Sequence, residues 1–238
     1  MKKILHIFLI SIILLSCSTE LKRYSFEDTI SKNQLVYLEN DMSLISGIVY
    51  VKNLDNTLIK ETTYLDGKKE GLESSWYVNG QLKSEDNWSG GKEDGLSIKW
   101  FENSQIQEEG NYFNGNKNGV WKMYHENGQL RTDENYINGK ESGLFKGWYE
   151  NGQLSMEVSY NNGKKDGLQK MWYKNGNIRH ESNFSNGEFD GEVKWWEENG
   201  DLSWTTNYKN GKRDGISISY LNGKILFITK YKNDKEIE

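Results

Sequence analysis

Hydrophobic and polar positions recur along this chain with a period of 24 residues. When a recurring glycine is counted as position zero, aromatic residues return at positions five and seventeen, and an aliphatic residue returns at position eleven. The glycines are Gly47, Gly71, Gly95, Gly119, Gly143, Gly167, Gly191 and Gly215. Chance does not keep such a register over eight units. The pattern therefore predicts eight repeats, at residues 47–70, 71–94, 95–118, 119–142, 143–166, 167–190, 191–214 and 215–238.

The three apolar columns are kept in almost every unit. Position five holds Trp76, Trp100, Tyr124, Trp148, Trp172, Trp196 and Tyr220. Position eleven holds Leu58, Leu82, Ile106, Leu130, Leu154, Ile178, Leu202 and, one place early, Ile225. Position seventeen holds Tyr64, Trp88, Tyr112, Tyr136, Tyr160, Phe184, Tyr208 and, again one place early, Tyr231. The first unit departs at position five, where it has Lys52, and the last unit is one residue short.

Turn signals between the columns predict that each unit is a β-hairpin. Asn-Gly pairs such as Asn127-Gly128 and Asn151-Gly152 lie between positions five and eleven, and Asn-Gly readily adopts positive φ. A three-residue loop with glycine in the left-handed position places position five opposite position eleven and position three opposite position thirteen. All odd positions then share one face. A two-residue loop would put the columns at five and eleven on opposite faces, so three residues are preferred.

A second turn, seen at Asn138-Gly139 and Asn162-Gly163, joins each hairpin to the next. Recurrent glycines leave no room for helices of three turns, and the absence of proline leaves every strand its full set of hydrogen-bond donors. The predicted fold is all-β, an elongated single-layer antiparallel meander built from the eight hairpins. About 16 strands spaced at ~4.8 Å would extend ~77 Å if the sheet were flat.

The first residues have the form of a lipoprotein signal. Residues 1–16 combine two lysines with an apolar run of ~12 residues, which is too short to span a bilayer as a helix. Leu14-Leu15-Ser16-Cys17 resembles the bacterial lipobox, which implies cleavage before Cys17 and lipidation of that cysteine. Residues 17–32 are then expected to be a tether. Residues 33–46, in which 34–37 resemble the second half of a unit, are expected to be a degenerate half-repeat that caps the first edge.

Repeats of the form seen at Gly119–Leu130 and Gly167–Ile178 resemble the MORN repeat variant, a 24-residue bacterial relative of the MORN repeat. The resemblance spans residues 47–238. It implies a scaffold for proteins or lipid head groups, and some bacterial members of the family are described as antitoxin components. Other members carry a lipid-kinase name, but no kinase portion is recognisable here. Unit one departs from the pattern at Lys52 and Asn56, unit three has Ser104 in place of glycine, and unit seven has Glu192 at the apolar position one.

Catalytic chemistry finds little support in the sequence. Outside the signal the histidines are His125 and His180, two units apart and predicted to lie on opposite faces, which makes a histidine-based triad implausible. No Walker loop, kinase motif or zinc-ligand cluster is present, so no cofactor, metal or catalytic residue is predicted. The formal net charge of -5 argues against nucleic acid as a partner.

Two charged columns are candidates for partner binding. Lysines recur at position three, on the face predicted for the position-five rings. This proposed groove consists of Lys122, Lys146, Lys170, Lys194, Tyr124, Trp148, Trp172 and Trp196. It could hold an acidic lipid or polypeptide, or the lysine stems could simply cover the rings. Carboxylates recur at position fourteen, predicted for the opposite face, as a solvated surface or a docking site for a basic partner: Glu61, Glu85, Glu109, Asp133, Glu157 and Glu181.

The sequence thus predicts a lipid-anchored, non-catalytic scaffold of the cell envelope that binds a protein partner of unknown identity. The lipobox resemblance also implies that Ser18, which is not an aspartate inner-membrane retention signal, would permit outer-membrane sorting if the cell has two membranes. One alternative is an antitoxin or immunity protein, which an adjacent toxin-like reading frame would favour. Another is an anionic phospholipid-binding module, for which vesicle binding should weaken with salt.

Overall fold

The computed structural model describes residues 20–238, and these are almost entirely β-strand. Twenty strands form one long, mostly antiparallel sheet, and β2 and β3 form a separate two-stranded sheet. A short 3-10 helix, Phe26–Asp28, lies between β1 and β2. The strands are β1 (Arg23–Ser25), β2 (Thr29–Lys32), β3 (Leu35–Leu38), β4 (Gly47–Lys52), β5 (Leu58–Leu65), β6 (Lys68–Trp76), β7 (Leu82–Ser89), β8 (Lys92–Trp100), β9 (Ile106–Phe113), β10 (Asn116–Tyr124), β11 (Leu130–Ile137), β12 (Lys140–Glu141), β13 (Gly143–Trp148), β14 (Leu154–Asn161), β15 (Lys164–Trp172), β16 (Ile178–Ser185), β17 (Glu188–Phe189), β18 (Gly191–Trp196), β19 (Leu202–Lys209), β20 (Lys212–Leu221), β21 (Lys224–Lys232) and β22 (Lys235–Ile237).

The loop inside each hairpin has three residues in units one to seven, as predicted. In unit two the Tyr77 amide donates to the Gln81 carbonyl at 2.9 Å, and the Gly80 amide donates to the Tyr77 carbonyl at 2.9 Å. Gly80 has a φ of 84°, the left-handed conformation that glycine adopts without a steric penalty. In the last unit Leu221 pairs directly with Lys224, so the loop has only two residues, Asn222 and Gly223. This loop accounts for the missing residue in that unit.

The turn between units is a two-residue turn. Asn138 and Gly139 have φ values of 50° and 78°, as a type I′ turn requires at both central positions. The Gly139 amide also donates to the carbonyl of Lys117, one unit earlier, at 2.8 Å. Successive turns are therefore tied together along one side of the array.

One prediction of the register is wrong. Position five does face position eleven, as in Trp148 opposite Leu154, but position three faces position fourteen rather than thirteen, as in Lys146 opposite Glu157. The second strand of each hairpin carries an extra residue at position twelve, a β-bulge represented by Ser155 in unit five. The bulge changes the parity of all later positions. The odd positions consequently do not share one face.

The two faces of the sheet can now be defined. The open face carries positions one, three, five, eleven, fourteen and sixteen, and the packed face carries positions two, four, thirteen, fifteen and seventeen. The most deeply buried large side chains of the repeats lie on the packed face, among them Trp121, Val158 and Val193, each at most 2% exposed. Leucines at position one of the open face, such as Leu144, remain about half exposed.

The glycine at position zero lies in a second irregularity, between units. On the strand that leads into unit two, Lys69 and Glu73 pair with Tyr64 and Thr62, so three residues stand opposite the single residue Thr63. Gly71 lies in this bulge with a φ of 84°. Because residues with a side chain rarely adopt that φ, the bulge explains why glycine returns every 24 residues.

The segment before the first repeat differs from the prediction. Within the expected tether, β1 pairs in parallel with β4 and covers the first edge of the sheet. The rest of the expected tether contributes the 3-10 helix and β2, which pairs with β3. The half-repeat predicted at 33–46 therefore does not extend the meander. It packs beside the first inter-unit turn, where the Val36 amide donates to the Gly67 carbonyl at 2.9 Å and Ile45 is fully buried.

The predicted signal peptide and Cys17 lie outside the described residues. Within residues 20–238, no helix has the length and apolarity needed to cross a bilayer.

Candidate partner-binding face

The open face of units three to seven carries a ladder of alternating charges. Lysines at position three and carboxylates at position fourteen stand opposite one another on neighbouring strands, both within hairpins and between them. From β9 to β18 the ladder consists of Glu109, Lys122, Asp133, Lys146, Glu157, Lys170, Glu181 and Lys194. Every lysine but the last has a carboxylate on both sides.

The ladder corrects the expectation that the acidic column faces away from the lysines. The bulge at position twelve brings position fourteen to the lysine face, where Lys146 Nζ lies 3.0 Å from Glu157 Oε1 and Lys170 Nζ lies 3.4 Å from Glu181 Oε2. Lys194 instead reaches Glu192 on its own strand, at 2.7 Å, and this hydrogen bond raises the lysine pKa. These side chains remain partly exposed, so each pair contributes little to stability, about 0.2–1 kcal/mol.

The position-five rings line the same face as the lysines. Trp148, Trp172 and Trp196 stand opposite the position-eleven aliphatic residues and are partly buried. Tyr124 donates its hydroxyl to Glu109 Oε1 at 2.6 Å. Burial and this hydrogen bond raise the pKa of Tyr124 to about 12, so the hydroxyl remains a donor at neutral pH. The predicted groove residues therefore share one face, although their cations are matched by carboxylates.

Hydrogen bonds between units hold the edge of this face in place. The Tyr149 hydroxyl donates to the Trp172 carbonyl at 2.8 Å, and the Tyr173 hydroxyl donates to the Trp196 carbonyl at 2.7 Å. In unit four His125 occupies the same position, with Nε2 2.9 Å from the Trp148 carbonyl. Each contact fixes the backbone beside a position-five ring.

The packed face holds a set of cations that the sequence reading missed. Lys69 Nζ lies 3.8 Å from the ring centroid of Trp88, and Lys117 Nζ lies 3.9 Å from that of Trp121. Lys165 Nζ lies 5.0 Å from the centroid of Phe184. The signal was present in the sequence, because these lysines return every 48 residues at position twenty-two. Such cation–π contacts contribute from about 0.5 to 2 kcal/mol according to burial.

Carboxylates on the packed face are also paired with these cations. Glu73 accepts from Lys69 at 2.7 Å, from Lys60 at 3.0 Å and from the Thr62 hydroxyl at 2.7 Å. Burial alone raises the pKa of Glu73, but these hydrogen bonds outweigh it and hold the pKa below its usual value. Glu108 bridges Lys99 and Lys117 in the same way, at 3.3 and 3.2 Å. Glu73 and Glu108 are therefore satisfied within the sheet.

The two histidines have separate structural contacts, His125 with the Trp148 carbonyl and His180 with Ser182. His180 is 3% exposed, its Nε2 lies 2.8 Å from Ser182 Oγ, and its ring centroid lies 4.2 Å from that of Trp195. Burial, together with nearby Lys165 and Arg179, lowers its pKa to about 4. A neutral, buried histidine against a fully buried serine is a packing arrangement, since no substrate could reach the hydroxyl. Among residues 20–238, no cluster of ligands that could hold a metal ion is found.

Comparison with known proteins identifies the class of repeat. The family model for the MORN repeat variant matches residues 69–89, 93–114, 117–138, 141–162, 165–186 and 189–210, which together make up more than half of the chain. The chain belongs to this family, and it is a repeat scaffold of a non-catalytic repeat family. The resemblance seen in the sequence is confirmed for these six repeats.

Other comparisons add little. No curated protein matches the chain. Among solved structures, a chain of a structure described as a GtfA/B complex bound to UDP and GlcNAc is similar, with 11% sequence identity and a TM-score of 0.20. The match covers 58% of this chain and 22% of that chain. This likeness supports no statement about shape or activity.

Proposed function

We propose that this protein is a lipid-anchored, non-catalytic repeat scaffold of the cell envelope that binds a protein partner on the open face of units four to seven. The supporting observation is the charge ladder, flanked by partly buried rings at position five and, in units four to six, by half-exposed aliphatic residues at position one. Aromatic and apolar anchors bordered by polar groups are typical of protein interfaces.

The pattern of charge favours a protein over an anionic membrane as the partner. Attraction to anionic lipid needs a cluster of cations, each contributing about 1 kcal/mol near the surface. Here Lys122, Lys146 and Lys170 each lie between two carboxylates, so the field of one sign cancels within a few ångströms. A polypeptide with charges of both signs can match such a ladder residue by residue.

The first prediction tests this face. Changing Lys122, Lys146, Lys170 and Lys194 together to Gln should reduce partner affinity by about tenfold or more, because unmatched carboxylates would then repel the partner's acidic groups. Stability should change little, since exposed pairs contribute weakly to folding. The measurement is capture of the partner by the intact protein from detergent-solubilised membranes, titrated at low and high salt.

A matched variant separates position from charge. Lys68, Lys92, Lys140 and Lys164 are exposed beside the inter-unit turns, so changing these four to Gln removes the same charge away from the ladder. This control should bind as the unmodified protein does. Full affinity of the ladder variant at low salt, where electrostatic contributions are largest, would exclude the ladder as the binding site. If the unmodified protein binds anionic vesicles and captures no protein partner, the anionic phospholipid-binding alternative would be favoured instead.

A further inference from the structure

The charge ladder on the open face has eight members, which is an even number. It begins with a carboxylate, Glu109 on β9, and ends with a cation, Lys194 on β18, and the two signs alternate without interruption between them. When the order of the strands is reversed, a cation stands wherever the original row has a carboxylate. The ladder is therefore complementary in charge to a reversed copy of itself.

The row of position-five rings beside the ladder has the same property. Within each hairpin the ring stands opposite the position-eleven aliphatic residue, as Trp148 stands opposite Leu154, so rings and aliphatic residues alternate from strand to strand. Over the eight ladder strands this row consists of Ile106, Tyr124, Leu130, Trp148, Leu154, Trp172, Ile178 and Trp196. A reversed copy of the row would place an aliphatic residue opposite every ring.

We propose that the partner of the open face is a second copy of this chain, packed face to face about a two-fold axis that runs parallel to the strands, between β13 and β14. The inference rests on the proposed function, because it names the protein that the open face binds. At the centre of the contact, Lys146 of each copy faces Glu157 of the other. Moving outward, the facing pairs are Lys170 with Asp133, Lys122 with Glu181, and Lys194 with Glu109. A two-fold contact requires a self-complementary surface of this kind.

Charge selects this axis over other ways of placing two open faces together. An axis along the row of charges would keep the order of the strands and bring every lysine against the same lysine of the second copy, which is unfavourable. An axis parallel to the strands but passing through β13 would bring Lys146 against its own copy and Asp133 against Glu157. Only an axis between two neighbouring strands opposes unlike charges, and the position between β13 and β14 includes the whole ladder.

The ion pairs within each chain leave the charged groups accessible to a second copy. The side chains of Lys146 and Lys170 are 39% and 36% exposed, and those of Glu157 and Glu181 are 29% and 32% exposed. An ammonium group has three donors, and a carboxylate has two acceptor oxygens, so each group can bind across the contact without giving up its partner in the same chain. The facing rings and aliphatic residues would supply apolar burial beside these pairs.

The surroundings of the ladder are compatible with the same arrangement. Beyond its two ends the row of cross-strand partners continues with Ile98 on β8 and with Thr205 on β19, so uncharged residues face each other there. A rotation preserves the twist of the sheet, and this axis lays facing strands parallel to one another. Two twisted sheets pack face to face when their strand directions lie within about 30° of each other.

Charge reversal at the centre of the contact tests the proposal on full-length chains that carry two different tags and are purified from membranes in detergent. Unmodified copies should capture each other. Lys146→Glu should weaken self-capture about tenfold or more, because carboxylates then face each other twice across the axis. Glu157→Lys should do the same, because ammonium groups then face each other twice. A mixture of the two variants should recover capture, since each facing pair again has opposite charges.

The mixture separates the contact from local damage, because each variant chain is the same alone and in the mixture. Lys140→Glu is the matched control. Lys140 is exposed on β12 beside an inter-unit turn, outside the ladder, and its reversal should leave self-capture unchanged.

Unmodified chains that do not capture each other overturn the proposal. A mixture that captures no better than either variant alone overturns it as well, as does a Lys140→Glu chain that loses capture to the same extent as Lys146→Glu. The proposed function would survive any of these results if the unmodified chain captures a different protein and the ladder variant defined above loses it.

Discussion

At the scale of single residues, the packed face is a set of size-matched side chains, and Gly110 with Trp121 is its clearest pair. Trp121 occupies position two of unit four and is 1% exposed. Gly110 lies beside it on β9, and a methyl group added at Gly110 would overlap the ring. The small residue therefore creates the space that the largest side chain fills.

The second prediction follows from this pair. Gly110→Ala should lower the free energy of unfolding by about 1–3 kcal/mol, because overpacking forces the ring or the backbone to move. Denaturant unfolding measures the change. Gly147→Ala is the control, since its nearest neighbour would be Ser155 Oγ at 3.2 Å and its effect should be smaller. If Trp121→Phe does not reduce the cost of Gly110→Ala in a double-mutant cycle, the two residues are not coupled as described.

Large side chains on the two faces differ in how deeply they are buried and therefore in how much they contribute to stability. The open-face rings such as Trp148 and Trp172 are only partly buried, whereas Trp121 and Val158 are almost completely enclosed. Substituting Trp148 or Trp172 by alanine should therefore lower the free energy of unfolding by less than the ~3–5 kcal/mol typical of a fully buried aromatic residue. The sequence pattern marked the open-face rings strongly because they recur, although burial is greatest elsewhere.

At the scale of the element, the unit is a hairpin with two irregularities, one at position twelve and one at position zero. The first sets which side chains share a face, and the second requires a glycine with positive φ. Each unit contacts mainly its neighbours, so stability should be close to a sum of unit and interface contributions.

The third prediction tests this modularity. Deleting residues 119–142 joins Asn118 to Gly143 and keeps every position in register, so a shorter folded sheet should result. Deleting only residues 119–130 removes most of β10 and leaves β9 and β11, which run in the same direction, next to each other. A connection this short cannot join parallel strands, which need a dozen or more residues. Thermal unfolding compares the two chains, and similar melting behaviour would contradict the register.

At the scale of the whole molecule, the array is a long surface whose position in the cell depends on the predicted anchor. The described part begins three residues after Cys17, and β1 starts at Arg23. A tether of six residues reaches at most about 20 Å. If Cys17 is lipidated, the first edge of the sheet therefore stays close to the membrane.

The fourth prediction concerns this anchor. Cys17→Ser should abolish membrane association of the mature chain, because without the thiol no lipid can be attached and stable anchoring needs at least two hydrophobic signals. Fractionation into soluble and membrane pools measures the effect. Ser18→Ala, which leaves the cysteine in place, should remain with the membranes. Equal membrane fractions for the unmodified and Cys17→Ser chains would rule out the lipid anchor.

The sequence by itself determined the repeat, the all-β meander, the three-residue loops and the facing of positions five and eleven. Those features follow from local chemistry, since Asn-Gly turns and alternating side chains act over a few residues. It also marked the two charged columns, but it assigned them to opposite faces because the bulge at position twelve has no sequence signal of its own.

Only the tertiary structure decided which side chains meet across strands. Pairing between β9 and β10 placed Gly110 beside Trp121, and pairing of β1 with β4 turned part of the expected tether into an edge strand. The charge ladder exists because one extra residue per hairpin shifts the parity of every position after it. Alternation of side chains along a strand specifies the two faces only while the backbone pairing is regular. A single inserted residue reverses the face of every later position.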